Sequence, residues 1–229
     1  MADQLIVFVS GAGRGIGFAL VQAYLLRSNT TVIASTRSPS PQLVTLPTGH
    51  GSKLLQVTIE STSFADPKTA IAQLQASGIT HLDIVIANAG VSPPVESLDT
   101  VDLEEMASTF SINALGPLAL FQASKPLLKK SSAPKWVSVS SAAGSIGGME
   151  AFGSHIAPAY CVSKAALNWI TLLVATDMGN KTAALLGLKK APYTQEQSAA
   201  LIVELISNAS RETTSGKFIN VVKGEEIPW

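Results

Sequence analysis

The stretch Val7–Gly17, VFVSGAGRGIG, constrains this chain more than any other. Leu5–Val9 is an apolar-biased run that predicts a buried strand. Gly11, Gly15 and Gly17 follow at fixed spacing, with Gly13 among them, and an amphipathic run begins at Phe18. A strand that enters a helix through a glycine-rich turn makes an anion site, because the helix start offers unpaired backbone N–H groups and a positive dipole end. Gly11 allows the tight turn, Gly15 allows close approach to the backbone, and Gly17 lets the helix lie near the strand. A pyrophosphate fits that arrangement. An ordinary glycine turn is the bland alternative, and the rest of the chain has to choose between them.

The 229 residues suit a single α/β domain, 1–229, with a sizeable core. Lys+Arg and Asp+Glu both number 16, which argues against an extended nucleic-acid footprint. Cys161 is the single cysteine, so neither an intramolecular disulfide nor a thiolate metal cluster is expected. The N-terminal MADQLIVFVS has no basic segment before its apolar run and does not read as a signal peptide. No apolar run reaches the about 18 residues of a membrane span. These features predict a cytoplasmic chain without nucleic-acid or membrane partners, in which Asn-Thr-Thr at Asn29 and Asn-Ala-Ser at Asn208 are chance sequons.

Further strands are predicted at Thr31–Ser35, Leu54–Ile59, Leu82–Ala87, Lys135–Ser140 and Lys217–Val222. Helical runs lie between them: Phe18–Arg27, one opening at Asp66-Pro67 and closing at Gly78, and a long one over about Val101–Leu128 that contains Asn113 and is interrupted by Gly116-Pro117. Thr194–Gln197 reads as a capping box that opens a helix to about Asn208. Pro39, Pro41 and Pro47 mark a loop. Strands alternating with helices imply a doubly wound parallel sheet.

In Tyr160-Cys161-Val162-Ser163-Lys164, positions i and i+4 share a helix face, so Tyr160 and Lys164 can enter one cavity. A free tyrosine titrates near pH 10, and a neighbouring ammonium is expected to lower that value. Such a pair can exchange a proton with a hydroxyl or carbonyl oxygen.

The order of Ser10-Gly11-Ala12-Gly13-Arg14-Gly15-Ile16-Gly17, Asn88-Ala89-Gly90, Asn113, Ser141 and Tyr160-x-x-x-Lys164 resembles the short-chain dehydrogenase/reductase family over nearly the whole chain. The strings Ser163–Asn168, Thr176-Asp177-Met178-Gly179 and Ser215–Phe218 with Pro228-Trp229 look like its C-factor/sniffer-type carbonyl reductases, a group that includes fungal norsolorinic-acid ketoreductase-like enzymes. The resemblance implies a Rossmann-like fold and reduction of a carbonyl substrate, of apolar, aromatic or polyketide character. Tyr160 would be the general acid, Lys164 would lower its pKa and hold the nicotinamide ribose, and Ser141 rather than Ser140 would hydrogen-bond the substrate oxygen. Asn113 would kink its helix and hold a water of the proton relay. Cofactor contacts are implied for Ser10, Gly11, Gly13, Arg14, Gly15, Ile16, Gly17, Asn88, Ala89, Gly90, Tyr160, Lys164 and Thr176, with a looser match at Glu60 and Ser61. Members that use NAD carry an acidic residue after the second strand; this chain has Arg37 there and Arg14 in the glycine loop. Two guanidinium groups suit a 2′-phosphate, which implies NADPH/NADP.

The chain departs from the family's pattern after Lys164. Only Ala165–Ala175 separates Lys164 from Thr176, too few residues to finish a helix and return as a strand. The expectation is that the sixth strand and its loop are deleted, leaving six strands and an exposed edge, with 176–215 as a substrate-side lid and helix. The Gly-rich Ser145–Pro158, with Met149, Phe152 and His155, is longer than the family's usual spacing and is expected to border the substrate. A homodimer through Val101–Leu128 and Ala159–Ala175 is implied, with the second helix shortened. The alternative is a catalytically impaired dinucleotide-binding or interaction protein, or a splice variant lacking the segment.

Overall fold

The computed structural model describes residues 4–151, 157–168, 172–173, 193–210, 212–214 and 217–228. Five parallel strands form its centre: β1 (Leu5–Ser10), β2 (Thr30–Thr36), β3 (Lys53–Thr58), β4 (Ile84–Ala87) and β5 (Lys135–Ser140), side by side as β3-β2-β1-β4-β5. The helices between them are α1 (Gly15–Leu25), α2 (Pro41–Val44), α3 (Asp66–Ala76), α4 (Leu103–Phe110) and α5 (Gly116–Leu128), followed after β5 by α6 (Pro158–Leu167) and α7 (Gln195–Asn208). The run predicted around Pro41 as loop contains the one-turn α2, with Pro41 at its start, where a missing N–H costs nothing.

Alternation along β1 sorts the core onto two faces. Val7 and Val9 pack with Leu20, Val21 and Tyr24 of α1 and with Ile202, Val203 and Ile206 of α7. Ile6 and Phe8 pack on the other face with Ala70, Ile71 and Leu74 of α3 and Leu120, Leu127 and Leu128 of α5. Both faces are covered, which is why β1, β2 and β4 read as continuous apolar or β-branched runs.

The expected loss of the sixth strand is corrected. A two-residue strand β6 (Leu172–Leu173) pairs in parallel with Val139–Ser140 of β5 on one side and with β7 (Ile219–Asn220) on the other. β8 (Glu225–Glu226) closes the sheet antiparallel to β7. The described residues therefore hold eight strands rather than six, and the last parallel strand keeps its neighbour. The physical reason is that α6 stops at Leu167, with Asn168 as its C-cap, instead of running on to about Ala175. The predicted strand Lys217–Val222 contracts to Ile219–Asn220, after which the chain turns through Val221–Gly224 to enter β8, closed by Gly224 N–H on the Asn220 carbonyl at 2.8 Å.

Between α4 and α5 the helix passes through one π turn, Ser111–Leu115, which contains Asn113. Residue 117 is proline, so the amide that an α-helix would direct at the Asn113 carbonyl does not exist. The widened turn accommodates that missing donor.

Candidate active site

Sheet order reverses at β1: β2 and β3 lie to one side, β4 and β5 to the other. Ligands of open α/β sheets enter the crevice at such a point, at the carboxyl ends of the strands. A cleft of about 350 Å³ opens there. It is lined by Ser10, Gly11, Gly13, Arg14, Gly15 and Ile16 of the first loop, Arg37 after β2, Glu60 and Ser61 after β3, and Asn88, Ala89 and Gly90 after β4. Twelve of the residues named for cofactor contact are thereby brought to one place. Gly17 sits behind the loop; a side chain there would run into the Gly11 carbonyl and the Asn88 amide. Thr176, Phe152 and His155 lie outside the described residues.

The loop is held open by its own chemistry. Gly11 and Gly15 adopt φ of +66° and +63°. The Ser10 hydroxyl accepts from the N–H groups of Asn88 and Ala89, both at 3.0 Å, and the Asn88 side-chain amide donates to the carbonyls of Ser10 (3.0 Å) and Gly11 (3.3 Å). Asn88 thus joins two loops. At the start of α1, Arg14 makes no side-chain cap and the first turn holds no acidic residue. Its backbone donors and dipole are left to an anion. Among the described residues neither Arg14 nor Arg37 forms an ion pair, and both are exposed.

The remaining predicted residues gather beside Gly90. Asn113 is wholly buried; its Oδ1 accepts from Val91 N at 2.8 Å, and its Nδ2 donates to Val91 O and Ser163 Oγ, both at 2.9 Å. A Cβ placed on Gly90 would lie 3.1 Å from Asn113 Oδ1 and 3.5 Å from Lys164 Nζ. Lys164 is 3% exposed, and its ammonium donates to Val139 O at 3.0 Å. Tyr160 and Lys164 share the inner side of α6, with Nζ 5.8 Å from the phenol ring centroid.

Ser141 reaches this pair because of Gly144. It caps the short 3₁₀ turn Ala142–Gly144, accepting from Ala143 N at 3.2 Å. A Cβ at Gly144 would come within 2.6 Å of the Lys164 carbonyl carbon, so only glycine lets this turn press backbone to backbone on α6. The Ser141 hydroxyl lies near enough to the Tyr160 phenol to pull its pKa down. Ser140 is occupied elsewhere: its hydroxyl bonds Asn168 Oδ1 at 2.5 Å and the Lys164 carbonyl at 3.3 Å.

The electrostatics depart from expectation. Burial pushes the Tyr160 phenol up to about 12, against the pull of Ser141, and burial pulls the Lys164 ammonium down to about 8. Lys164 was expected to lower the phenol's pKa; withdrawal from water outweighs any such help, and the tyrosine stays protonated.

The sequence reading missed Ser163, Val91 and the Val139 carbonyl. Ser163 was findable, since position i+3 of Tyr160 faces the same way as Tyr160 and Lys164. The other two act through backbone atoms and leave no side-chain signal.

The glycine cradle, the uncapped helix start and the cleft at the reversal point fit a dinucleotide, and the Asn–Ser–Tyr–Lys cluster fits proton transfer next to it. Residues 5–187 match the short chain dehydrogenase profile, and the chain belongs to that family of oxidoreductases. Among curated relatives, the short-chain dehydrogenase srdF of Neurospora crassa is 45% identical over 253 positions that take in 100% of this chain and 99% of its own. The norsolorinic acid ketoreductase stcE of Emericella nidulans is 37% identical over 247 positions, covering 99% and 94%. Both alignments exceed the chain's 229 residues, so each relative carries sequence with no counterpart here. Among solved structures, an NADPH-bound carbonyl reductase from chicken fatty liver superposes with a TM-score of 0.80 at 29% identity, covering 99% of this chain and 100% of that one. No helix of the described residues is long and apolar enough to cross a membrane.

Proposed function

We propose that the chain reduces a ketone or aldehyde to an alcohol with NADPH, using Tyr160 as the proton donor. One observation carries this reading: Ser141, Tyr160 and Lys164 converge beside Gly90, which lines the same cleft as Arg14 and Arg37. When bound, the nicotinamide supplies the hydride. The protein supplies position and the proton. Ser141 holds the substrate oxygen within reach of the phenol, and Tyr160 passes its proton to that oxygen as negative charge develops. Lys164 opposes the charge left on Tyr160 and holds the ribose hydroxyls. The Asn113 carbonyl, which lacks its regular helical donor, holds a water of the relay that resupplies the proton. Arg14 and Arg37 receive the 2′-phosphate, and Glu60 and Ser61 border the adenine.

The substrate is an apolar aromatic or polyketide ketone. The fungal ketoreductase relative supports this, as do Ile146 and Met149, apolar and exposed on the loop after Ser141. A cytoplasmic homodimer completes the reading: Leu103, Leu115 and Leu118 of the α4–α5 region and Val162 of α6 are exposed apolar residues on the expected helices. Of the span 176–215 expected to form a substrate-side lid and helix, residues 176–192 lie outside the described residues, and the helix Gln195–Asn208 packs with α1 on the face of β1.

A catalytically impaired dinucleotide-binding protein is the second reading, favoured by the sequence that both relatives have and this chain lacks. NADPH consumption against norsolorinic acid, 9,10-phenanthrenequinone and menadione separates the two. Turnover that falls by about 10²–10⁴-fold in Tyr160→Phe, with NADPH affinity retained, is the expected result. A Tyr160→Phe variant as active as wild type would sink the mechanism. NADPH binding without turnover of any probe would favour the second reading.

A further inference from the structure

The Ser163 hydroxyl is wholly buried between three elements that the reaction needs in register. It donates to the Tyr160 carbonyl at 2.7 Å, the local back-bond available to serine in a helix. Its single proton is thereby committed, and its oxygen is left as an acceptor. Asn113 Nδ2 donates to that oxygen at 2.9 Å. This fixes which way the Asn113 amide faces: nitrogen toward Ser163 and Val91 O, oxygen toward the Val91 N–H. Reversing the amide would set its oxygen against the Val91 carbonyl and its NH₂ against the Val91 N–H. The Val91 loop begins at Gly90, where an added Cβ would lie 3.1 Å from Asn113 Oδ1 and 3.5 Å from Lys164 Nζ. Four groups from three parts of the chain therefore share one chain of hydrogen bonds, running from the loop after β4, through the π turn, to the first turn of α6.

We propose that Ser163 is a positioning residue for the reductase: it locks the Asn113 amide and so holds the cofactor-side loop in register with Tyr160. It touches neither substrate nor cofactor and acts through Asn113 and the Tyr160 backbone. The proposal rests on the carbonyl-reductase reading for its kinetic consequence but not for its structural one, and the test separates them. Buried side-chain networks of this kind fail as a unit when one acceptor is removed, because the donor left behind has no replacement.

The experiment compares wild type, Ser163→Ala and Ser163→Thr, the last retaining the hydroxyl. The first readout needs no activity: residue-resolved amide exchange on the full chain. Val91 N–H is expected to exchange at least about tenfold faster in Ser163→Ala and to return most of the way in Ser163→Thr, with Val7 and Phe8 of β1 unchanged. The second readout is turnover of 9,10-phenanthrenequinone with NADPH. The kcat of Ser163→Ala is expected to fall by about 10–100-fold with KM for the quinone within about threefold, since a displacement of about 1 Å costs that much. Unchanged exchange at Val91 overturns the proposal whether or not the chain reduces a carbonyl. Loss of KM and kcat together, with β1 exchange also raised, overturns it too, because it marks a general loosening. A wild-type chain that turns over no probe removes the carbonyl-reductase reading, and the exchange result then decides the Ser163 link alone. If Ser163→Ala does not fold, Ser163→Cys, a weak donor and acceptor of similar size, is held to the same outcomes.

Discussion

Lys164, buried, and Tyr160, half-buried, both shape the pH response of the protein. Lys164 has a folded pKa of about 8 against an ordinary 10.5, so between those values the unfolded chain binds the proton more tightly than the folded one. Stability then rises with pH across that window, the penalty of burying an ammonium being relieved as it deprotonates. Tyr160 and Tyr24 run the other way, both raised to about 12, so the folded state keeps protons that the unfolded state releases above about 10. Urea unfolding at pH 7, 9 and 11 is expected to show a gain from 7 to 9 that is absent in Lys164→Met, and a decline by pH 11. A wild type and Lys164→Met with the same difference between pH 7 and 9 would show that the lysine is not desolvated. On the proposed mechanism, a phenol protonated well above neutrality would serve Tyr160 as the acid of carbonyl reduction.

The elements differ in what they tolerate. The turn Ala142–Gly144 lies backbone to backbone on α6, so Gly144→Ala forces one of them to move. A cost of about 1–3 kcal/mol is expected, with turnover lost beyond that because Ser141 moves with the turn. Thr194 does a different job: its hydroxyl accepts from Gln197 N at 3.2 Å, and the Gln197 side chain answers from the Thr194 N–H at 2.9 Å. Thr194→Ala is expected to cost about 1 kcal/mol in urea unfolding and to leave kcat unchanged. Equal losses of activity in the two variants would mean that Gly144 has no special hold on the site. The same contrast explains what the sequence disclosed. The capping box at Thr194, the proline start at Asp66-Pro67 and the apolar runs of β1, β2 and β4 are local signals, and the structure matches them. The π turn was half legible, through Gly116-Pro117. The strand β6 was not, because its two residues pair with Val139–Ser140 and Ile219–Asn220, and pairing across such distances leaves no periodicity in so short a run.

Across the whole molecule, one sheet brings five separated stretches to its β1 reversal point. The glycine loop, Arg37, Glu60-Ser61 and Asn88–Gly90 line the cleft, and α6 adds Tyr160 and Lys164 next to Gly90. Most of that assembly was legible because each stretch carries its own motif, and Ser163 was findable from its i+3 spacing to Tyr160; the Val91 and Val139 backbone groups were not, because backbone atoms leave no side-chain signal. On the proposed reading, Arg37, standing where no acidic residue follows β2, selects the dinucleotide. Calorimetric titration of the 229-residue chain with NADPH and then NADH tests this most directly. Two unpaired guanidinium groups on a 2′-phosphate predict NADPH binding tighter by at least about tenfold, with the preference reversed or abolished in the double variant Arg14→Ala, Arg37→Asp. Equal affinity for both dinucleotides, or binding of neither, would contradict the account.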